Sequence, residues 1–403
     1  MLSSLQRLSL YWFLMTGALG VYLPFFSLYL KDVRGFSGTQ IGTVFAVPPF
    51  IAMLAQPFWG DVADRTGSRS RVLALLSCGA ALGYALLIVP RSFGAMLAAT
   101  AWLAFFSSAQ MPMAVAVSLG AIAQAGDRVP FGRIRVWGTL GYFLVVMCVP
   151  LALSRLAAQR HVDEASLFPG IYAIGAVLTA LAALFALSLP TPATHLRARM
   201  LPGEQAWLVR HRPYTRVLSV SFLAYVFLQG PLQLLPVYAR SRGGDTASVS
   251  HMWAWSLSLE TVLMLYAASL YRRLGPRPTI AVGIVACGVR WLLCAFCRDL
   301  FWAYPLQALH GAMVFSLQVG APLLVESLVP DRLRASSQAG LSIVGPGIGG
   351  ITSSALAGWL MDAYGIDAVM LAGGCGGLLL GLITPWILPR SNPGTAISAA
   401  PVR

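Results

Sequence analysis

Apolar runs of about twenty residues recur along this chain from near its start to near its end, and each is long enough to cross a bilayer core of about 30 Å as a helix. Inside a membrane every backbone N–H and C=O must find its partner within the protein, so only helices and closed barrels can span it. Composition agrees: 57% of the 403 residues are hydrophobic and 10% are charged, whereas a soluble domain carries about 25% charged residues. The first run, Leu8 to Leu30, is too long for the apolar core of a signal peptide and is preceded by a single cation, Arg7. It is expected to be a retained span.

Charged, proline and glycine punctuation divides the chain into twelve expected spans. They are 8–30, 39–60, 71–90, 94–121, 131–153 and 168–189, then 214–239, 249–271, 278–297, 300–325, 335–360 and 366–388. The longest polar connection, 191–213, joins two halves: a bundle of six helices over 1–190 and a second over 214–390, with a tail at 391–403. The expected fold is therefore all-α, with twelve transmembrane helices in two pseudo-symmetric six-helix bundles. A weak internal repeat supports the duplication. Asp64-Arg65-Thr66-Gly67-Ser68-Arg69 follows the second span, and Arg272-Arg273-Leu274-Gly275-Pro276-Arg277 follows the eighth. Duplicated halves predict a substrate site near the bilayer midplane.

The net charge of +14 is carried by loops between spans, as a topology signal rather than a nucleic-acid surface. With both termini placed inside, 19 of the 28 cations fall in inner segments, 8 in outer loops, and Arg290 lies within a span. That bias predicts cytoplasmic termini. The six cysteines lie within or at the ends of apolar segments; Cys294 and Cys297 form a C-x-x-C without a second ligand pair, so no metal is expected. The sequence holds no H-E-x-x-H, no G-x-S-x-G and no phosphate-binding G-x-x-x-x-G-K-[ST] loop. An enzyme, a cofactor and ATP as an energy source are not expected.

The stretch Gly60-Asp61-Val62-Ala63-Asp64-Arg65-Thr66-Gly67-Ser68-Arg69 resembles the signature loop between helices two and three of the major facilitator superfamily. In that family the loop latches helix ends during alternating access, which the resemblance carries to Gly60, Asp64, Arg65, Gly67 and Arg69. Phe131-Gly132-Arg133-Ile134-Arg135-Val136-Trp137-Gly138, Glu260, Arg290-Trp291 and Leu309-His310-Gly311 are similar to the lactose permease and phenylpropionate permease-like branch of proton symporters. That likeness implies the major facilitator fold and a substrate-contacting role for Arg135. Three departures stand out. Helix four reads Pro112-Met113-Ala114-Val115-Ala116-Val117 where the branch has a sugar-binding glutamate. Met313 stands in place of a carboxylate, and Gln307 in place of a lysine. Galactoside binding is therefore doubtful.

Ionisable groups within spans are the strongest functional clue, because each costs about 2.5–3.5 kcal/mol at a helix centre. Glu260 is the one clearly deep carboxylate. At 1.5 Å per residue, Glu260, His310 and Arg290 lie roughly 16, 15 and 10 Å from the ends of their spans, at similar depth on three successive helices. Arg290 balancing Glu260, with His310 as relay, is the expected proton-coupling group; a pair that only locks helices together is the alternative. Gln307 shares the His310 face, and Trp253 lies two turns before Glu260. Trp253 suits stacking on a flat substrate or anchoring at the lipid interface. Tyr22, Phe26 and Tyr29 share a helix face, lining a planar ligand or simply packing.

The expected protein is a monomeric secondary transporter of a bacterial cytoplasmic (inner) membrane, whose partners are a small organic solute, a proton and lipid. Symport of an aromatic carboxylate leads. Uptake of nucleosides or oligosaccharides, and proton-antiport efflux suggested by Gly345-Pro346-Gly347-Ile348-Gly349-Gly350, are the alternatives.

Overall fold

The computed structural model describes residues 3–90, 92–124, 131–189 and 204–389. Among these residues there are helices and turns but no strand. Six spans form the first part: α1 (Ser4–Val33), α2 (Gly38–Thr66), α3 (Arg69–Leu86), α4 (Phe93–Gln124), α5 (Phe131–Arg160) and α6 (Glu164–Leu187). The second part holds α7 (Arg212–Gln233), α8 (Thr246–Leu265, continued by Ala267–Leu274), α9 (Pro276–Phe296), α10 (Leu300–Leu328), α11 (Asp331–Tyr364) and α12 (Ile366–Ile387). Ten of the twelve are long and apolar enough to cross a membrane. The other two are the polar ones: α3 opens on Arg69 and Arg71, and α8 carries four serines, His251 and Glu260.

The chain divides into two compact units, Met1–Ala198 and Arg199–Arg403. Residues 190–203, most of the expected linker, and the expected tail at 391–403 lie outside the described residues, as do the topology-signal cations Arg91, Arg128, Arg197, Arg199, Arg390 and Arg403. Each unit is built by the same pairing scheme. In the first, α1 packs on α5 and α6, α3 on α6 and α4, and α2 on α4; in the second, α7 packs on α11 and α12, α9 on α12 and α10, and α8 on α10. Each of these pairs in the first unit thus recurs six helices later in the second.

Local chemistry sets the helix ends. Ser3 with Gln6, and Ser37 with Gln40, make reciprocal capping boxes at the starts of α1 and α2. Gly67 ends α2 in the left-handed region at φ 63°, where a side chain would be strained. Several spans are less regular than their apolar pattern predicts. The seventh breaks at Leu234 instead of running to 239, because Pro236 supplies no N–H and starts a new short helix, Leu235–Ser241. Span ten contains a 3₁₀ turn, Gln307–Leu309, and a π segment, Phe315–Gly320. Span eleven contains a π segment, Ile343–Gly349, around Pro346, which breaks the i→i−4 ladder there.

Candidate functional site

In the second unit two of the expected site residues, Gln307 and His310, meet a third, Arg290, whose side chain is wholly buried on α9. An arginine has five N–H donors and no acceptor, so burial is tolerated only where acceptors surround it. Gln307 supplies one: its Oε1 accepts from Arg290 Nε at 2.9 Å and also from Nη2. His310 Nδ1 faces Nη1 at 3.2 Å. Because the guanidinium can only donate, that nitrogen accepts, and the neutral ring carries its proton on Nε2. The Arg290 Cζ also lies 3.9 Å from the Trp291 ring centroid.

The backbone of α10 explains why two residues of one helix meet one guanidinium. Gln307 opens the 3₁₀ turn that leads into His310. With three residues per turn, side chains at i and i+3 eclipse one another. Gln307 is fixed in turn, its Nε2 donating to the Ala303 carbonyl at 2.8 Å and to Cys294 Sγ at 3.5 Å. The amide cannot flip without losing bonds at both ends, so it presents its oxygen to Arg290.

The α8 helix closes this group from another side. A Cβ at Gly311 would lie 2.3 Å from the Glu260 backbone nitrogen and 2.6 Å from its Cα, so only glycine lets the two helices touch there. Glu260, partly buried, is thereby held one residue away from His310 along α10. Two turns earlier on α8, Trp253 meets His310 edge to face, with ring centroids 6.3 Å apart. Sequence reasoning did not include Cys287 and Cys294 in this group. They sit at i−3 and i+4 from Arg290, a helical spacing that puts them on its face. Cys287 Sγ lies 3.7 Å from Met313 Sδ, the residue that replaces the branch carboxylate.

The other expected residues lie in the first unit. Tyr22 packs against Phe26 at 4.5 Å and Tyr84 at 6.4 Å, within an aromatic cluster that includes Tyr29, Phe45 and Tyr172. Arg135 is exposed on α5, with its Cζ 4.8 Å from the ring centroid of the buried Trp12. Trp12 is itself fixed, its indole donating to Ser118 Oγ at 3.0 Å. The stretch expected as a loop is helical as far as Thr66: in the last turns of α2 Arg65 pairs with Asp61 at 2.8 Å, and Asp64 pairs with Arg69, the first residue of α3, at 3.6 Å. Asp61 was not among the expected latch residues, although it stands at i−4 from Arg65, the spacing of a helical ion pair. Gly60 has open space around it, and Gly67 makes the turn.

The model of the MFS_1-like family matches residues 5–372. The chain belongs to this family. It is a transporter of the major facilitator superfamily and an integral membrane protein. It is 26% identical to the maltose permease of Geobacillus stearothermophilus over 362 residues, covering 90% of this chain and 89% of the permease. It is 25% identical to a probable 3-phenylpropionic acid transporter of Escherichia coli (strain K12) over 329 residues, covering 77% of this chain and 79% of that protein. Among solved structures, the nucleoside transporter NupG superposes with a TM-score of 0.82 at 21% identity, covering 96% of this chain and 99% of that one. That likeness establishes the major facilitator fold of this MFS_1-like chain.

Proposed function

We propose that this transporter moves a small organic solute inward together with a proton, by alternating access. The observation that carries the reading is the Arg290 cluster. A fully buried cation is held by a neutral amide and a neutral imidazole, and the residue after that imidazole, Gly311, touches the backbone of Glu260. A coupled carrier needs a group whose proton affinity changes during the cycle. Glu260 can serve if its separation from the guanidinium changes when substrate binds, because a nearby cation stabilises the charged carboxylate. His310 supports that assignment differently from a simple relay: protonating Nδ1 would set N–H against N–H and expel Arg290 from its present position. Arg135, Tyr22, Trp253 and Gln307 remain the proposed substrate contacts or their supports, with the loop from Gly60 to Arg69 as the conformational latch. We take both termini as cytoplasmic in a bacterial inner membrane, and one chain as the functional unit.

For the substrate, an aromatic carboxylate leads, because arginines outnumber carboxylates among the expected site residues within the spans and Trp253 offers a flat ring. Nucleosides or oligosaccharides form the second reading, favoured by the similarity to a nucleoside transporter and a maltose permease. The deciding experiment uses proteoliposomes carrying wild type or Glu260→Gln, after a thermal-shift screen over aromatic acids, nucleosides and sugars has supplied the solute. Glu260→Gln is expected to lose accumulation driven by a proton gradient while retaining solute exchange. Full gradient-driven accumulation by that variant would overturn the assignment.

A further inference from the structure

A cavity of about 790 Å³ opens at one end of the first unit, where α1 and α3 finish and α4 and α6 begin. Its walls are Ile88, Val89, Pro90, Ala95 and Pro169, with Ser92 at the start of α4. Among the described residues, Arg34 is its one charged lining residue, and no acidic side chain lines it. The volume is in the range of small-molecule sites, about 300–1,000 Å³.

Arg34 is held in place from beneath. Its Nε donates to the Tyr29 hydroxyl at 2.8 Å, and its Nη2 donates to the same hydroxyl and to the Ile88 carbonyl at 2.8 Å. Tyr29 is anchored by donating to the Leu87 carbonyl at 2.8 Å. These bonds use three of the five guanidinium N–H donors. Among the described residues the Nη1 edge takes no acceptor. A rigid guanidinium with a spare edge is suited to a phosphate or carboxylate oxygen. The positive end of α4 adds to the same preference, since this 32-residue helix begins at the cavity wall.

We propose that this cavity holds the headgroup of an acidic phospholipid, with the phosphate on Arg34 and the acyl chains leaving over Val89 and the prolines. The apolar walls favour a lipid over a free anion, and Val89 is 72% exposed at the rim. The position also fits, because the ends of membrane helices lie at headgroup depth.

Native mass spectrometry of the purified full chain tests this. The protein is titrated with phosphatidylglycerol or phosphatidylcholine, and with phosphatidylglycerol in the presence of inorganic phosphate. Arg34→Gln and Ala95→Trp are each expected to reduce phosphatidylglycerol occupancy at least tenfold, while Arg160→Gln leaves it unchanged. Ala95 is exposed, lines the cavity and takes no part in the Arg34 hydrogen bonds, so its replacement serves even if Arg34→Gln folds poorly. Phosphatidylcholine should bind less well, and phosphate should not displace the lipid. Undiminished occupancy in Ala95→Trp, or equal binding of the two lipids, would overturn the proposal. Displacement by phosphate would replace it with a free-anion site.

Discussion

Gln307 accepts two N–H donors of Arg290 on a single oxygen, and the other end of the same amide is tied to the Ala303 carbonyl. A neutral side chain thus positions a cation that the bilayer would otherwise expel. Removing the acceptor while keeping the volume, as in Gln307→Met, leaves charged donors buried without a partner. Such a loss costs about 1–3 kcal/mol for a neutral group and more for a charged one. The melting temperature should fall, and an unchanged melt would mean that another group holds the arginine. Gln307→Glu should retain Arg290 and restore stability, while slowing transport by fixing the guanidinium in an ion pair.

Arg290→Ala alone should cost about 3–5 kcal/mol if the cation balances Glu260, because the carboxylate then loses its counter-charge. Combining it with Glu260→Gln should recover much of that loss. Melting curves of the two singles and the double form a cycle. If the losses simply add, the two residues are not partners.

Gly311→Ala should separate α8 from α10. The added methyl would fall 2.3 Å from the Glu260 nitrogen, a contact that forces the backbone to move. Overpacking of this kind costs about 1–3 kcal/mol, and uptake should fall further than stability because the Glu260–His310 spacing changes. Normal uptake with normal stability would show that this spacing does not matter.

Asp245 caps the start of α8, accepting from the Ser248 amide at 2.8 Å and hydroxyl at 2.7 Å. Partial burial raises its proton affinity, but the Ser248 hydrogen bonds, its own backbone and Arg240 outweigh that, so its pKa lies below the usual carboxylate value. A depressed folded pKa contributes stability above the unfolded value of about 3.9, and that contribution disappears as pH falls through the folded value. Asp245→Ala should therefore lower stability by about 1 kcal/mol between pH 5 and 8. The gap to wild type should narrow below about pH 4; a gap of unchanged size in acid would exclude the charge of the carboxylate as its source.

Reporter fusions after Leu189 and at the C-terminus should both report the cytoplasm, as the arginine distribution predicts. An external signal from either would contradict the proposed topology.

Much of this architecture was legible in the sequence. Long apolar runs gave the spans, and the loop from Gly60 to Arg69 gave the family. The grouping was legible in part: similar depth on successive helices brought forward Glu260, His310 and Arg290, and a shared helix face added Gln307, but Glu260 rather than Gln307 was expected as the partner of Arg290. The partners of these residues were less legible. The 3₁₀ turn at Gln307 has no composition signal, because alanine and leucine suit an α-helix equally well. The fixing of Gln307 by the Ala303 carbonyl and Cys294 depends on that turn and on the angle at which α9 meets α10. The breaks at Leu234 and in α11 follow prolines that were visible but do not by themselves say how the chain will accommodate them.

The tenth helix is wound too tightly at Gln307–Leu309 and too loosely at Phe315–Gly320, within a few residues. The two departures have opposite sign, so they offset each other in the rotation of the helix about its axis. The side chains between the two, from His310 to Val314, are therefore turned about the axis from where an unbroken α-helix would place them, and His310 is the first of them.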